Sequence, residues 1–355
     1  MRPLRIIHCA NFNTVRLKGC YMASMGYKLN NGLVRLGHQV LTYSDRDMAR
    51  LFGIFGKKCF LTTKKNNDNF YKFCLNLKPD IIFLGHADTI SADTLLKIRE
   101  KLPNVKILQW NVDAINPVLE SGRRNIKNIQ SKLAAVDYTL ITTAERKLYA
   151  PFNPDKNNIG FIPNPVDKSI ETARVFENSS PEYDVFFASN PDAERDIGGK
   201  LLKAKEIAAM LEKNCPNTKL MFPRLNAPSA DGIAYLNLIA KSAMVLNLSR
   251  ISEDYLYSSD RMAHAMGNGC LAFIDRRTGF TDIFNEDEAA FYEGQDELVD
   301  KINFYKQNPL DRMGTAQKGW KKYHELFNET KVASYALSLL DGSFKKENYP
   351  FARYK

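Results

Sequence analysis

The sequence predicts an α/β chain of two doubly wound, Rossmann-like domains facing each other across a cleft. Three observations lead there. Short runs of β-branched and apolar residues alternate with helical patterns along the whole chain. The runs are continuously apolar, as parallel strands buried on both faces require. The series breaks once, near residue 165, and then restarts, which makes two sheets rather than one. The length of 355 residues agrees with two domains at roughly 150 residues each.

The first series of strands is expected at 4–9, 39–43, 80–84, 105–109, 138–142 and 159–162. A helix over 25–36 stops at Gly37, a residue suited to the left-handed position after a helix. A helix over 92–102 sets Leu95, Ile98 and Leu102 on one stripe, and Pro103 ends it. The break is Ile162-Pro163-Asn164-Pro165, with a polar linker at 177–181. Strands of the second series are expected at 183–188, 218–222, 244–248, 270–274 and 289–292. Helices are expected at 194–213, 231–242, 259–267, 296–307 and 311–326. The predicted domains are therefore 1–165 and 166–330, with a tail over 331–355.

Composition is globular: 44% hydrophobic and 25% charged, so disordered and fibrous classes are excluded. No apolar run approaches the ~20 residues that cross a bilayer. The start, Met1 to Ile7, reads as a first strand rather than a signal peptide, so a cytoplasmic chain is expected. Six scattered cysteines without a CxxC pair are then reduced thiols. Charge is uneven. Residues 1–165 carry 25 Lys and Arg against 12 Asp and Glu, a net of +13, and residues 166–355 carry 25 against 28, a net of −3. Such asymmetry fits an anionic membrane surface or acidic glycolipid at the first half, or a merely solvated basic face. Nucleic acid is not expected, because no helix-turn-helix, zinc-finger or RNP pattern accompanies the charge.

Several chemistries are unsupported. No G-x-G-x-x-G follows the first strand, and Gly198-Gly199-Lys200 lacks the remaining spacing of a phosphate loop and reads as helix surface. No HExxH or Cys/His cluster suggests zinc. Asp45-Arg46-Asp47 mimics a D-x-D metal motif but reads as a solvated turn, so neither metal nor cofactor is expected. The informative stretch runs from Ser258-Ser259-Asp260 through Arg261. Three good N-cap residues open a short helix that a buried strand follows. A helix start of this kind offers free N–H groups and a dipole to a phosphate, and Arg261 adds a guanidinium. An ordinary helix with a surface arginine fits the local sequence equally well.

The residues from Arg261 onward resemble a known family. Arg261-Met262-Ala263-His264-Ala265-Met266-Gly267-Asn268-Gly269, a hydrophobic strand, Asp275-Arg276, Gly279 and Asp282-Ile283-Phe284 are similar to the nucleotide-sugar site of group 1 glycosyltransferases with the GT-B fold, in particular the CgeB-like branch. The passages 289–292 and 296–302, with Asn308-Pro309 and Arg312, continue the likeness. The family's glutamate that grips the nucleotide ribose is His264 here, a side chain that still donates or accepts a hydrogen bond. A packed helix histidine is the alternative.

The resemblance implies a metal-independent glycosyltransferase. A nucleotide sugar would be held by the second domain and a saccharide or lipid-linked acceptor by the basic first domain, in bacterial surface glycan synthesis at the inner membrane face. It implies donor contacts at Ser189, Asn190 and Arg195 after the first strand of that domain, at Arg224 and Asn247 after the next two, and at Ser259, Asp260, Arg261, His264 and Gly279. It implies acceptor-side contacts at His86 and Asn111, with Asp113 as the general base, a first loop whose Lys18 and Gly19 approach either the donor phosphates or an acidic acceptor, and a C-terminal helix that returns to the first domain. Capping roles fit Asn190 and Asp113 as well. A nucleotide-sugar epimerase of the same fold, or a non-catalytic binding protein, are the other readings.

Overall fold

The computed structural model describes residues 2–15, 18–53, 60–257 and 259–352. Two compact units emerge, Met1–Pro163 with Glu329–Lys355, and Asn164–Asn328. The first unit contains β1 (Arg5–Ala10), α1 (Met25–Arg35), β2 (Gln39–Ser44), α2 (Asp45–Phe52), α3 (Phe60–Leu77), β3 (Ile81–Gly85), α4 (Ala92–Lys101), β4 (Lys106–Asn111), α5 (Glu120–Gln130), β5 (Tyr138–Ile141) and β6 (Ile159–Phe161). The second contains β7 (Tyr183–Phe186), β8 (Glu194–Ile197), β9 (Lys200–Lys203), α6 (Ala204–Asn214), β10 (Leu220–Met221), α7 (Ile233–Ala240), β11 (Ser242–Asn247), α8 (Asp260–Gly267), β12 (Leu271–Asp275), β13 (Ala290–Tyr292), α9 (Gln295–Gln307) and α10 (Pro309–Leu326). The last helix, α11 (Glu329–Asp341), belongs to the first unit.

Both large sheets are parallel throughout. The order is β2-β1-β3-β4-β5-β6 in the first unit and β10-β7-β11-β12-β13 in the second. The inner strands β3, β11 and β12 are enclosed on both faces, which is why they read as apolar runs. Strand order reverses between β1 and β3 and again between β7 and β11, and the carboxyl ends of strands at such a reversal are where α/β sheets hold ligands. Each unit has its own core, around Ile82, Leu84 and Phe70 in the first and Val185, Leu246 and Phe273 in the second. No helix among the described residues is long and apolar enough to cross a membrane.

Two expectations are corrected. The helix expected over 194–213 is a hairpin followed by a shorter helix, α6. Ile197 pairs with Lys200, so Gly198-Gly199 is a two-residue turn and not helix surface. Both glycines have positive φ, at 61° and 85°, the backbone that a type I′ turn demands. Asp45-Arg46-Asp47 is not a solvated turn but the first turn of α2, where carboxylates suit the helix dipole. Asp47 Oδ2 accepts the Thr14 amide (2.7 Å) and the Ser44 hydroxyl (2.8 Å), fastening the loop after β1. Asp45 Oδ2 accepts the Thr89 hydroxyl (2.9 Å), and Arg46 donates to Asp88 (2.7 Å), fastening the loop after β3. Burial, with Asp88 nearby, pushes the Asp45 carboxyl up to about 6.

Helix α11 lies against α1 where Gly32 leaves no side chain. A Cβ there would sit 2.1 Å from the Glu329 carbonyl oxygen. Arg35 adds an ion pair to Glu329 (2.5 Å), and the Tyr335 hydroxyl reaches the Phe161 carbonyl (2.9 Å). Gly32→Ala is expected to destabilise the first unit by about 1–3 kcal/mol, although alanine is the better helix former. Urea denaturation checks this, and an unchanged midpoint would contradict the close approach.

Candidate nucleotide-sugar site

In the second unit, strand β11 ends at Asn247, which is 3% exposed. Neither amide atom of its side chain finds a hydrogen-bond partner among the described residues. A buried amide left so costs about 1–3 kcal/mol unless something else satisfies it. Downstream, α8 opens with Ser259 as N-cap, its hydroxyl accepting the Arg261 amide at 3.4 Å. Ser259, Asp260 and Arg261 are half-buried, so other side chains do not seal the helix start. Ser258 lies outside the described residues, as does Arg16 of the first loop.

Arg261 Nη1 donates to the Leu248 carbonyl (2.7 Å), tying the helix start to the end of β11. Arg195, on β8, uses Nη1 on the adjacent Glu194 carbonyl (2.7 Å), while its Nε is buried without a partner. Burial first, and then the charges of Arg261 and Arg250, lower the Arg195 pKa to about 10. Arg195 therefore lies within electrostatic range of Arg261, on α8, and of Arg250, in the loop after β11. None of them forms an ion pair among the described residues. Burial also lowers the Arg261 pKa, with Tyr235 and Tyr257 acting the other way. Like charges gathered without counter-ions, beside a helix start, are arranged for an anion.

A carboxylate network holds this arrangement. Asp196, the residue after Arg195, accepts from the Gly199 amide (2.8 Å), the Ser252 amide (3.0 Å) and Arg277 Nη2 (2.7 Å). Arg277 also meets Asp275 Oδ2 (2.6 Å), which accepts the Gly198 amide (3.1 Å). Burial opposes the Arg277 charge, but hydrogen bonds to Asp275 and Asp196 outweigh it and push its pKa up. The hairpin bearing Arg195 and the loop bearing Arg250 are thereby fixed to β12. Asp196→Asn keeps one acceptor and is expected to cost about 1–3 kcal/mol of stability. Chemical denaturation measures this, and anion affinity should fall with it.

Other expected donor contacts are spread wider. Ser189 and Asn190 lie in the loop after β7, and the Ser189 hydroxyl points to the Asn190 carbonyl at 3.4 Å. Arg224 is exposed in a left-handed conformation (φ 72°), with Nε on the Ser229 hydroxyl (3.1 Å), and no described contact joins it to the other arginines. Gly279 (φ 74°) faces the Tyr255 ring, which a Cβ would approach to 2.4 Å, so it shapes the loop. His264 is buried, with Nδ1 2.7 Å from Glu171 Oε1.

In the first unit, the loops after β3 and β4 bring His86 and Asp113 together, Nε2 to Oδ2 at 3.5 Å. His86 (φ 59°) and Ala87 (φ 40°) are consecutive left-handed residues without being glycine, a strained turn of the kind found at functional sites. Asn128 supports it by donating to the His86 carbonyl (2.9 Å), and the buried Lys132 donates to Asn128 Oδ1 (2.7 Å). Burial lowers the Lys132 pKa to about 8. Burial also lowers the His86 pKa, against the pull of Asp113. Asn111 Nδ2 donates to the Asp113 carbonyl (2.5 Å), while Asn111 Oδ1 and Trp110 Nε1 are buried without partners. Lys18 and Gly19, both at positive φ, shape the loop after β1, and no described contact joins them to this pair.

Sequence reasoning did not single out Glu171, Asp196, Arg277 or Lys132. Glu171, Asp196 and Arg277 each meet a partner far along the chain, and Lys132 supports the His86 turn only through Asn128, whose own bond spans 42 positions, so no spacing carries such a signal.

Residues 219–338, about a third of the chain, match the family model described as glycosyl transferase-like. The chain has the GT-B fold, with a glycosyl transferase-like segment. No curated protein sequence matches it. Among solved structures it is similar to the sucrose-phosphate synthase of Thermosynechococcus elongatus, at 12% identity and a TM-score of 0.63, covering 97% of this chain and 99% of that one. A glycosyltransferase of Rickettsia africae matches at 12% identity and a TM-score of 0.60, over 98% of this chain and 99% of that one. HepE of Anabaena, solved in complex with UDP-glucose, matches at 11% identity and a TM-score of 0.57, over 96% of this chain and all of the other. At such identities the likeness defines the GT-B fold, and substrates must come from the residues themselves.

Proposed function

We propose that this GT-B protein transfers a sugar from a nucleoside diphosphate donor to a saccharide or lipid-linked acceptor. The observation that carries this reading is the cluster of Arg195, Arg250 and Arg261, three guanidiniums with no ion-pair partner among the described residues, beside the start of α8. As the sugar–phosphate bond breaks, negative charge develops on the departing diphosphate. Fixed guanidiniums and free helix N–H groups stabilise that charge without reorganising. Asn247 and Ser259 would supply further hydrogen bonds. In the first unit, Asp113 takes the acceptor hydroxyl's proton, and His86 stands beside it. The +13 net charge of residues 1–165 fits an anionic glycan or glycolipid presented at a membrane face, as in surface glycan assembly.

Thermal-shift measurement against UDP, GDP, ADP, TDP and CMP tests the donor half. A matching nucleotide at a hundredfold excess over its dissociation constant adds about 2.7 kcal/mol, a readily measured shift. If none of the five stabilises the chain, the reading fails. If a matching nucleotide sugar is converted to an isomer with no acceptor present, epimerisation replaces transfer.

A further inference from the structure

Helix α3 buries Asn66, Phe70 and Cys74 and exposes Phe60, Leu61, Lys64, Lys65, Asp68 and Lys72. The exposed residues recur at four-residue steps, so they share one side of the helix, apolar at its start and lysine-rich beyond. Phe60 is 77% exposed and Leu61 61%. Leu51, near the end of α2, is 74% exposed, and Val15, in the loop after β1, is 72% exposed. Local contacts gather these segments at one end of α2. A Cβ on Gly53, the residue after α2, would lie 3.1 Å from the Thr62 side chain, so the end of α2 abuts the start of α3. Asp47 Oδ2 accepts the amides of Thr14 (2.7 Å) and Val15 (3.4 Å), and Arg50 Nη1 donates to Asn13 Oδ1 (3.5 Å), so the loop after β1 lies on α2.

Single exposed apolar side chains are ordinary, but here four from three segments stand beside a row of lysines. Lys64, Lys65 and Lys72 form no ion pair among the described residues. An acidic soluble partner would satisfy the lysines alone. A second copy of the chain would cover the apolar residues but set lysine against lysine. An anionic bilayer satisfies both, because apolar chains lie directly beneath its negative head groups. We propose that the end of α2, the start of α3 and the loop after β1 form a docking surface for an anionic lipid bilayer, with Leu51, Phe60 and Leu61 entering the head-group boundary and Lys64, Lys65 and Lys72 meeting lipid phosphates. The inference rests on the reading of a lipid-linked acceptor given above and adds where the membrane lies. Helix α2 has 8 residues, so it is about 12 Å long. Its other end holds the loop after β3, through Asp45 to the Thr89 hydroxyl (2.9 Å) and Arg46 to Asp88 (2.7 Å). One short helix thus ties the docking surface to the loop that carries His86.

Flotation of the full chain with lipid vesicles tests this with neither donor nor acceptor present. The chain is expected to bind vesicles of phosphatidylcholine mixed with phosphatidylglycerol, to ignore vesicles of phosphatidylcholine alone, and to be released by raised salt. Leu51→Ser combined with Phe60→Ser is expected to weaken binding about tenfold or more, since both give up the apolar surface they would bury. Lys64→Gln, Lys65→Gln and Lys72→Gln together are expected to weaken it about a hundredfold. These side chains are exposed, so both variants should keep the denaturation midpoint of the unmodified chain and its stabilisation by nucleotide. If the serine pair does not fold, Phe60→Trp still decides the apolar half, because its indole emission should shift to the blue on the anionic vesicles.

Equal binding to the neutral vesicles, binding that survives both sets of substitutions, or no binding at all would each overturn the proposal. A dimer that the serine pair breaks, with no vesicle binding, assigns the surface to a second copy instead. A chain that binds the anionic vesicles but none of the five nucleotides keeps this surface and rejects the donor reading. One that binds a nucleotide but no vesicle rejects the surface and leaves the donor reading standing.

Discussion

Asp113→Asn is expected to slow sugar transfer by about a hundredfold or more and to leave nucleoside diphosphate affinity unchanged. The size follows from the role. A positioned base that takes a proton in the transition state contributes about 10²–10⁴ in rate. The selectivity follows from the placement. Asp113 is 65% exposed at the end of β4, so asparagine fits there without repacking, and the arginine cluster belongs to the other unit. His86 makes the experiment sharper. Its pKa is held below the ordinary histidine value by burial, and Asp113 opposes that shift by favouring the charged ring. Removing the Asp113 charge therefore lowers the His86 pKa further. If residual activity in Asp113→Asn uses His86 as base, the acidic limb of its pH–rate profile reports the titration of the His86 ring instead of a carboxyl, and that limb disappears with the ring. Adding His86→Gln should then abolish what remains. An Asp113→Asn chain with an unaltered rate would remove the base from this loop and favour a transfer that needs no deprotonating carboxylate there.

The sheets were legible in the sequence because their chemistry is one-dimensional. A parallel strand enclosed by helices must be apolar at every position, and runs such as Ile81–Gly85 and Leu271–Asp275 stand out for that reason. The β8–β9 hairpin was not legible. Its strands, Glu194-Arg195-Asp196-Ile197 and Lys200-Leu201-Leu202-Lys203, show neither an apolar run nor an alternation, and the segment runs directly into the helical pattern of α6, so the Gly198-Gly199 signal was absorbed into a helix. The buried acids of α2 misled in a different way. A carboxylate in a short polar stretch looks solvated until the loops that donate to it, at Thr14 and Thr89, are brought from elsewhere in the chain.

The site divides along the same line. Arg261 and Asn247 could be found because each sits where a strand or helix ends, a position that sequence pattern locates. That Arg195, Arg250 and Arg261 converge, and that His264 finds Glu171, depends on contacts between elements. A single chain read linearly contains no record of those contacts. His264 was recognised as a departure from a family pattern, yet its partner could not be named, because Glu171 precedes the whole second sheet.

The arginine cluster carries the second large expectation. Arg195→Gln and Arg261→Gln are each expected to weaken nucleoside diphosphate binding about ten- to a hundredfold, since a charge-assisted hydrogen bond contributes about 1.5–3 kcal/mol. Arg195→Gln should leave the stability of the ligand-free protein unchanged or raise it, because it removes a partly buried like charge that has no counter-ion among the described residues, whereas Arg261→Gln also gives up the bond to the Leu248 carbonyl, which offsets that gain. A structural arginine behaves oppositely. Arg277→Gln would strand Asp196 and Asp275 and should lower stability, since breaking a partly buried ion-pair network leaves carboxylates uncompensated. Paired calorimetric titration and denaturation of the three variants therefore distinguish arginines kept for a ligand from one kept for the fold. Loss of stability in Arg195→Gln and Arg261→Gln, with anion affinity intact, would mean that the cluster is held by the protein for its own sake and that the diphosphate binds elsewhere.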